Sequence, residues 1–231
     1  MYPNLLNLHG ERGSIQALVA IGKQIGVDVA VKRIEDFEDP VSFDEMDLLI
    51  FLPGEIAMFQ HLIPALRASA LNTYLENGGY LLAMGTSGLM FGNTITREDG
   101  SVIKGLGYLD MDAKERNYVW GDDLHFRLNE TKMELAGSQI QMADVESRHP
   151  LGTTIYGMGN NNTGAEGARW KNLIYTNCLG PLLVKNPWFG EHILKSILQA
   201  KGIETTAAGS FPIAQASFAA TLKFINEKPK K

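Results

Sequence analysis

Between Asn77 and Gly92 the chain reads N-G-G-Y-L-L-A-M-G-T-S-G-L-M-F-G, and few folds accommodate that order. Gly78-Gly79 marks a turn, Tyr80 to Met84 is an apolar run of strand length, and Gly85-Thr86-Ser87-Gly88 leads into Leu89-Met90-Phe91, which reads as a helix start. This is the outline of a nucleophile elbow, a sharp strand-to-helix turn that holds one strained side chain above the end of a sheet. The backbone doubles back at such a turn, so the residues two positions either side of the nucleophile must be small, and Ala83 and Ser87 are. Between them stands Gly85, which has no side chain to react.

The flanking sequence extends the same pattern. Ser14 to Ile25 places Ile15, Leu18, Val19, Gly22 and Ile25 on one helical face, with Ser14 or Gly13 as candidate cap and Gly26 as the stop. Val27 to Ile34 reads as a strand. Asp47 to Leu52 is a continuous apolar run, expected for a parallel strand covered on both faces. Ile56 to Asn77 has helical period, with a kink or break expected at Pro64. The resulting β-α-β-α-β-α order predicts a doubly wound, mostly parallel sheet with helices on both faces. After Gly105 the pattern shifts to short strand-like pieces at 122–128, 133–137, 139–145, 153–157 and 173–177, read as an antiparallel extension on one edge of the sheet. Helices return at Trp188 to Lys201 and near Ile213 to Asn226. Residues 1–227 are expected to form one domain and 228–231 a frayed basic tail.

Composition narrows the function classes. Of the 231 residues 45% are hydrophobic and 20% charged, a globular makeup, and the net charge of -5 argues against nucleic acid or an anionic membrane as a main partner. No apolar run reaches spanning length and no charged-apolar-small leader is present, which predicts a cytoplasmic protein without membrane insertion. The single cysteine, Cys178, has no partner in the chain and suits a reducing compartment.

Seven segments carry a family resemblance: Met1 to Ile15, Phe43 to Gly54, the Asn77–Gly92 elbow, Gly105 to Asp110, Ile155 to Asn161, Glu166 to Asn172 and Gly180 to Asn186. In this order and spacing, to about Gly202, they resemble the glutaminase subunit of lipid II isoglutaminyl synthase. That subunit is a class I glutamine amidotransferase of the cobyric-acid-synthase type, with a flavodoxin-like fold. The resemblance also implies a short strand ahead of the segment matching Met1-Tyr2-Pro3.

In that family an elbow Cys attacks the glutamine side-chain amide, a His just before a G-P-hydrophobic motif activates it, and ammonia passes to a Mur-ligase-like partner. Matched by position, the Cys falls on Gly85 and the His on Leu179, so no catalytic residue is assigned. A thiolate is the nucleophile in this chemistry and a neighbouring imidazole holds its pKa low; both are absent. The Gly-rich turn whose N–H helps hold the oxyanion is replaced by Leu52-Pro53-Gly54-Glu55, and Pro53 has no N–H to give. The family's arginine near the end of its G-L-G segment falls on Tyr118, with Arg116 two residues earlier.

The remaining candidates for binding are Gly54, Thr86, Ser87 and Arg116. No cofactor and no metal are expected, since His9, His61, His125, His149 and His192 lack metal-ligand spacing. Three readings follow. In the first, the protein has lost glutaminase chemistry and serves as a non-catalytic partner or regulator of a Mur-ligase-like enzyme, self-association being another use of the same surface. The second is an active amidase using Thr86, Ser87 or Cys178. The third is a sensor that binds a small molecule in the pocket vacated by thiol and imidazole, lined by Gly54, Gly85, Thr86 and Leu179. The glycine- and asparagine-rich loop at 157–164 suits left-handed backbone angles, and serves as a tight connection or, as the family implies, a neighbour of the cleft.

Overall fold

The computed structural model describes residues 1–35 and 42–228. The first helix, α1 (Arg12–Gln24), begins after Glu11 with no side-chain cap, so neither Gly13 nor Ser14 caps it; Ser14 lies buried inside its first turn. Residues 27–34 form no regular element and pair with no described strand, contrary to the strand read there. Strand β1 (Leu48–Phe51) follows.

The helical region after it breaks elsewhere than expected. Helix α2 (Phe59–Ala68) carries Pro64 in its interior, and the chain turns instead at Ser69, whose ψ of 176° leaves the helical region before α3 (Leu71–Glu76). Ser69 supports the break with its own hydroxyl, which donates to Leu66 O at 2.7 Å and accepts from Leu71 N–H at 3.2 Å. Such local bonding is why Ser favours helix ends over interiors.

Strand β2 (Tyr80–Met84) runs into a 3-10 helix over Gly85–Phe91, and every residue from Leu81 to Gly92 is buried. Short strands β3 (Thr94–Thr96) and β4 (Val102–Lys104) lead to two long ones, β5 (Met111–Leu128) and β6 (Glu134–Ser147). The pieces read at 133–137 and 139–145 are thus one strand. Then come β7 (Gly152–Tyr156), β8 (Ala165–Glu166), β9 (Ala168–Trp170), β10 (Leu173–Thr176) and β11 (Cys178–Leu179), followed by α4 (Leu182–Lys185), α5 (Pro187–Ala200) and α6 (Pro212–Glu227).

Two sheets result. The central one has the order β1-β2-β10-β9, with β1, β2 and β10 parallel and β9 antiparallel at its edge. The second has β11-β6-β5-β3-β4, with β7 and β8 beyond β5. The extension is therefore a sheet of its own, and residues 173–176, read as part of it, belong to the central sheet. This α/β arrangement is the doubly wound class expected from the sequence, with an antiparallel second half. Lys228 is not frayed: its ammonium donates to Asp122 and Asp123 at 2.8 and 2.7 Å, while 229–231 lie outside the described residues. No helix among the described residues is long and apolar enough to cross a membrane.

Candidate functional site

The elbow is built as its sequence requires. Met84 ends β2 in extended backbone and Gly85 turns at a φ of +59°, in the left-handed region that L side chains rarely occupy. Three residues on, the helix start passes so close to β10 that a Cβ on Gly88 would lie 1.9 Å from the Tyr175 ring. Glycine at 88 is thus a packing requirement, whereas Gly85 answers to the bend.

The space next to Gly85 is crowded. A Cβ built there would meet Pro53 Cγ at 3.1 Å, Pro53 Cβ at 3.3 Å and Leu179 Cδ2 at 3.4 Å. Gly54, Gly85, Thr86 and Leu179, the residues anticipated to line a ligand cavity, are all buried, with a proline ring and an isobutyl group lying nearest to Gly85. The structure brings Gly85 and Leu179 face to face, with hydrocarbon of Pro53 and Leu179 between them.

Hydroxyls near the turn are committed to backbone. Thr86 Oγ1 donates to Gly54 O at 2.5 Å and accepts from Gly54 N–H at 3.0 Å, which engages the backbone donor next to Pro53. Ser87 is fully buried and its hydroxyl lies 3.0 Å from both Phe51 O and Met84 O. Neither is bonded to a histidine. Cys178 is also fully buried, with Sγ against Gly137 of β6, and burial, then the charges of Glu166 and Glu11, push its thiol pKa well above the ordinary value. A thiol held protonated and covered is a poor nucleophile.

Arg116 does not join this group. It lies where β5 and β6 slip in register between Glu115 and Trp120, with Asp144 as its ion pair and Met158 Sδ as a further acceptor at 2.6 Å. Of the residues picked out from sequence, Gly54, Thr86 and Ser87 converge on Gly85 and Leu179, and Arg116 stands apart. Among the described residues no cluster of three His, Cys, Asp or Glu side chains is placed to hold a metal.

Two buried carboxylates that sequence reading missed hold the segment around Leu179 in place. Glu11, fully buried, accepts from Gly180 N–H at 2.6 Å, Leu182 N–H at 3.1 Å and Ser14 Oγ at 2.9 Å, so the first helix grips the turn that follows Leu179. Glu166, also fully buried, accepts from Thr176 Oγ1 at 2.7 Å, Asn177 N–H at 2.8 Å and Asn177 Nδ2 at 3.0 Å; burial pushes its pKa up. Asn160 links into the same network, its Oδ1 accepting from Gly167 N–H at 2.7 Å and from Asn177 Nδ2 at 3.1 Å. The asparagine loop is therefore tied to the strand leading into Leu179. A lone Glu before a helix and another after a Gly-rich loop carry no periodic signal that would mark them as buried.

Comparison with known proteins agrees with this architecture. The chain is 26% identical over 211 residues to the lipid II isoglutaminyl synthase (glutamine-hydrolyzing) subunit GatD of Streptococcus pneumoniae strain ATCC BAA-255 / R6, covering 87% of this chain and 80% of that one. With GatD of Staphylococcus aureus strain N315 it shares 29% identity over 209 residues, 86% and 82% of the two chains. The chain is homologous to GatD. Solved structures similar in fold to this chain include a glutamine amidotransferase at a TM-score of 0.51 and 13% identity, covering 79% of this chain and 93% of that one. A chain of the Thermotoga maritima PurLQS structure follows at 0.50 and 10% identity, covering 80% and 92%. Both show the fold. No protein-family model matches the chain.

Proposed function

We propose that this GatD homologue is a glutamine amidotransferase-like subunit of cell-wall precursor amidation that no longer hydrolyses glutamine and acts in the cytoplasm as a non-catalytic partner of a Mur-ligase-like enzyme. One observation carries the reading: the space between positions 85 and 179 holds Pro53 and Leu179 side chains in contact distance of where a nucleophile would begin. Loss of a nucleophile costs several orders of magnitude in rate, and the turn that would hold an oxyanion has Pro53 without a donor and Gly54 N–H bonded to Thr86. The relatives are named as subunits, so the surface that outlasts the chemistry is a docking surface.

Two measurements test this. Purified protein incubated with glutamine, alone and with whatever protein co-purifies under gentle lysis, is expected to release no ammonia above background; release in either condition overturns the loss of chemistry. Mass spectrometry of the co-purified material is expected to identify a Mur-ligase-like protein, and its absence overturns the partner.

A further inference from the structure

The ammonium of Lys228 sits in a cage of carboxylates and aromatic rings. It donates to Asp122 Oδ1 at 2.8 Å and to Asp123 Oδ2 at 2.7 Å, and it lies 5.3 Å from the centroid of the Tyr156 ring and 4.8 Å from that of Phe224. Asp122 and Asp123 are consecutive residues of β5, and consecutive side chains of a strand point to opposite faces, yet here both carboxylates reach one nitrogen. β7 sets Tyr156 opposite His125, where its register against β5 shifts, and the Tyr156 hydroxyl donates to Asp122 Oδ2 at 3.4 Å. The two carboxylates raise the pKa of Lys228 above its ordinary value, so the cage favours a charged occupant. The element that carries Lys228 is lightly held: α6 buries only Ile225, and no residue of the 203–211 segment ahead of it is buried or in a regular element. Phe218 of α6 adds edge-on contacts to His125 and Trp188 at 5.9 and 5.2 Å between ring centroids. An element with so few buried side chains opens at low free-energy cost.

We propose that this cage is a binding site for a lysine side chain carried by another peptide chain, which enters by displacing Lys228 and freeing the end of α6. The chemistry of the occupant follows from the walls. Carboxylates at hydrogen-bond distance call for N–H donors, which a primary ammonium has and a quaternary one lacks, while the ring faces attract the positive charge and cover the alkyl stem. Charge sets the need for an occupant. The Asp122 and Asp123 side chains are only 13% and 25% exposed, so two adjacent carboxylates vacated by Lys228 repel one another until a second cation arrives. Asp122, Asp123 and Tyr156 belong to β5 and β7 and stay in place when α6 moves, so a site remains for the incoming group. The cage uses none of the elbow residues, and it stands independently of the proposed loss of glutamine hydrolysis.

The test uses the full chain with Nα-acetyl-lysine methylamide as probe, at constant ionic strength so that screening does not vary. With Lys228→Ala, calorimetric titration is expected to show saturable binding with a Kd on the order of a few millimolar and a rise in melting temperature. Wild type should bind the probe about tenfold more weakly, because Lys228 competes, and binding should speed proteolytic cleavage within 203–211 as α6 is freed. The probe trimethylated or acetylated at Nε should bind neither protein, and the unmodified probe should not bind Lys228→Ala that also carries Asp122→Asn and Asp123→Asn. No binding to Lys228→Ala overturns the proposal, as does equal binding of the trimethylated probe, which would show charge attraction without hydrogen bonding. Binding to the variant with none to wild type up to about 100 mM overturns displacement and leaves Lys228 a fixed strut. Binding of n-pentylamine but not of the lysine probe overturns a peptide as the source. The wild-type titration and its cleavage pattern decide alone if Lys228→Ala does not fold.

Discussion

Gly85 and Leu179 face one another: a Cβ on the first would lie 3.4 Å from Cδ2 of the second, with the Pro53 ring closer still at 3.1 Å. Residues 94 positions apart in sequence are brought there by β2 and by β11, which pairs with Ser138 of β6 rather than with the central sheet.

Substitution at the elbow is expected to expose this crowding. Gly85→Ala should destabilise the protein by about 1–2 kcal/mol from the left-handed backbone alone, with more from the tight approach to Pro53. In a double-mutant cycle with Pro53→Ala the costs should be less than additive, because the proline methylenes are what the new methyl meets. Denaturant unfolding of the four proteins measures it; strict additivity would mean that the two positions do not touch.

The grip of Glu11 on the turn after Leu179 should be the largest single polar contribution in this region. Glu11→Ala leaves the Gly180 and Leu182 N–H groups and the Ser14 hydroxyl without their acceptor, at a cost of about 3 kcal/mol or more. Glu11→Gln, which keeps one acceptor oxygen, should cost clearly less. Chemical denaturation of both variants decides, and equal losses would show that charge rather than hydrogen bonding holds the turn.

Stability should respond to pH through Glu166. Its folded pKa is raised by burial above the ordinary 4.5, so the native state holds the proton more tightly than the unfolded chain does. The contribution is fully present below 4.5 and is lost as pH rises through the folded value. Melting temperature measured against pH for wild type and Glu166→Gln should therefore diverge, with the advantage of wild type falling as pH increases from about 4.5. An advantage that grows with pH would mean that the hydrogen bonds from Thr176 and Asn177 outweigh desolvation.

Cys178 should react with a thiol reagent only on unfolding. Complete burial and a raised pKa together deny it both access and thiolate character. Labelling followed over time in increasing denaturant should track the loss of structure. Rapid modification of native protein would revive a relocated thiol as a nucleophile.

Much of the central sheet was legible because its signals are local. Tyr80 to Met84 between glycine turns, and the apolar run at 47–52, specify buried parallel strands wherever they occur, since only a covered strand tolerates continuous hydrophobicity. Residues 27–34, where Val27, Val29 and Val31 alternate with other residues, also read as a strand, yet a strand exists only when a neighbour supplies the ladder, and none of the described residues does. The pieces at 133–137 and 139–145 merged into β6 for the converse reason: pairing with β5 on one side and β11 on the other carries the strand through Gly137 and Ser138.

By itself the sequence determined the chemistry at each position: a glycine where the bend is tightest, a leucine ahead of the G-P turn, a proline where a backbone donor would serve. Tertiary structure alone decided that these three meet at contact distance, and that Glu11 and Glu166 are buried. The reason is physical. Side-chain identity is a property of one residue, whereas free volume and the burial of a charge are set by elements far apart in the chain, which come together only on folding.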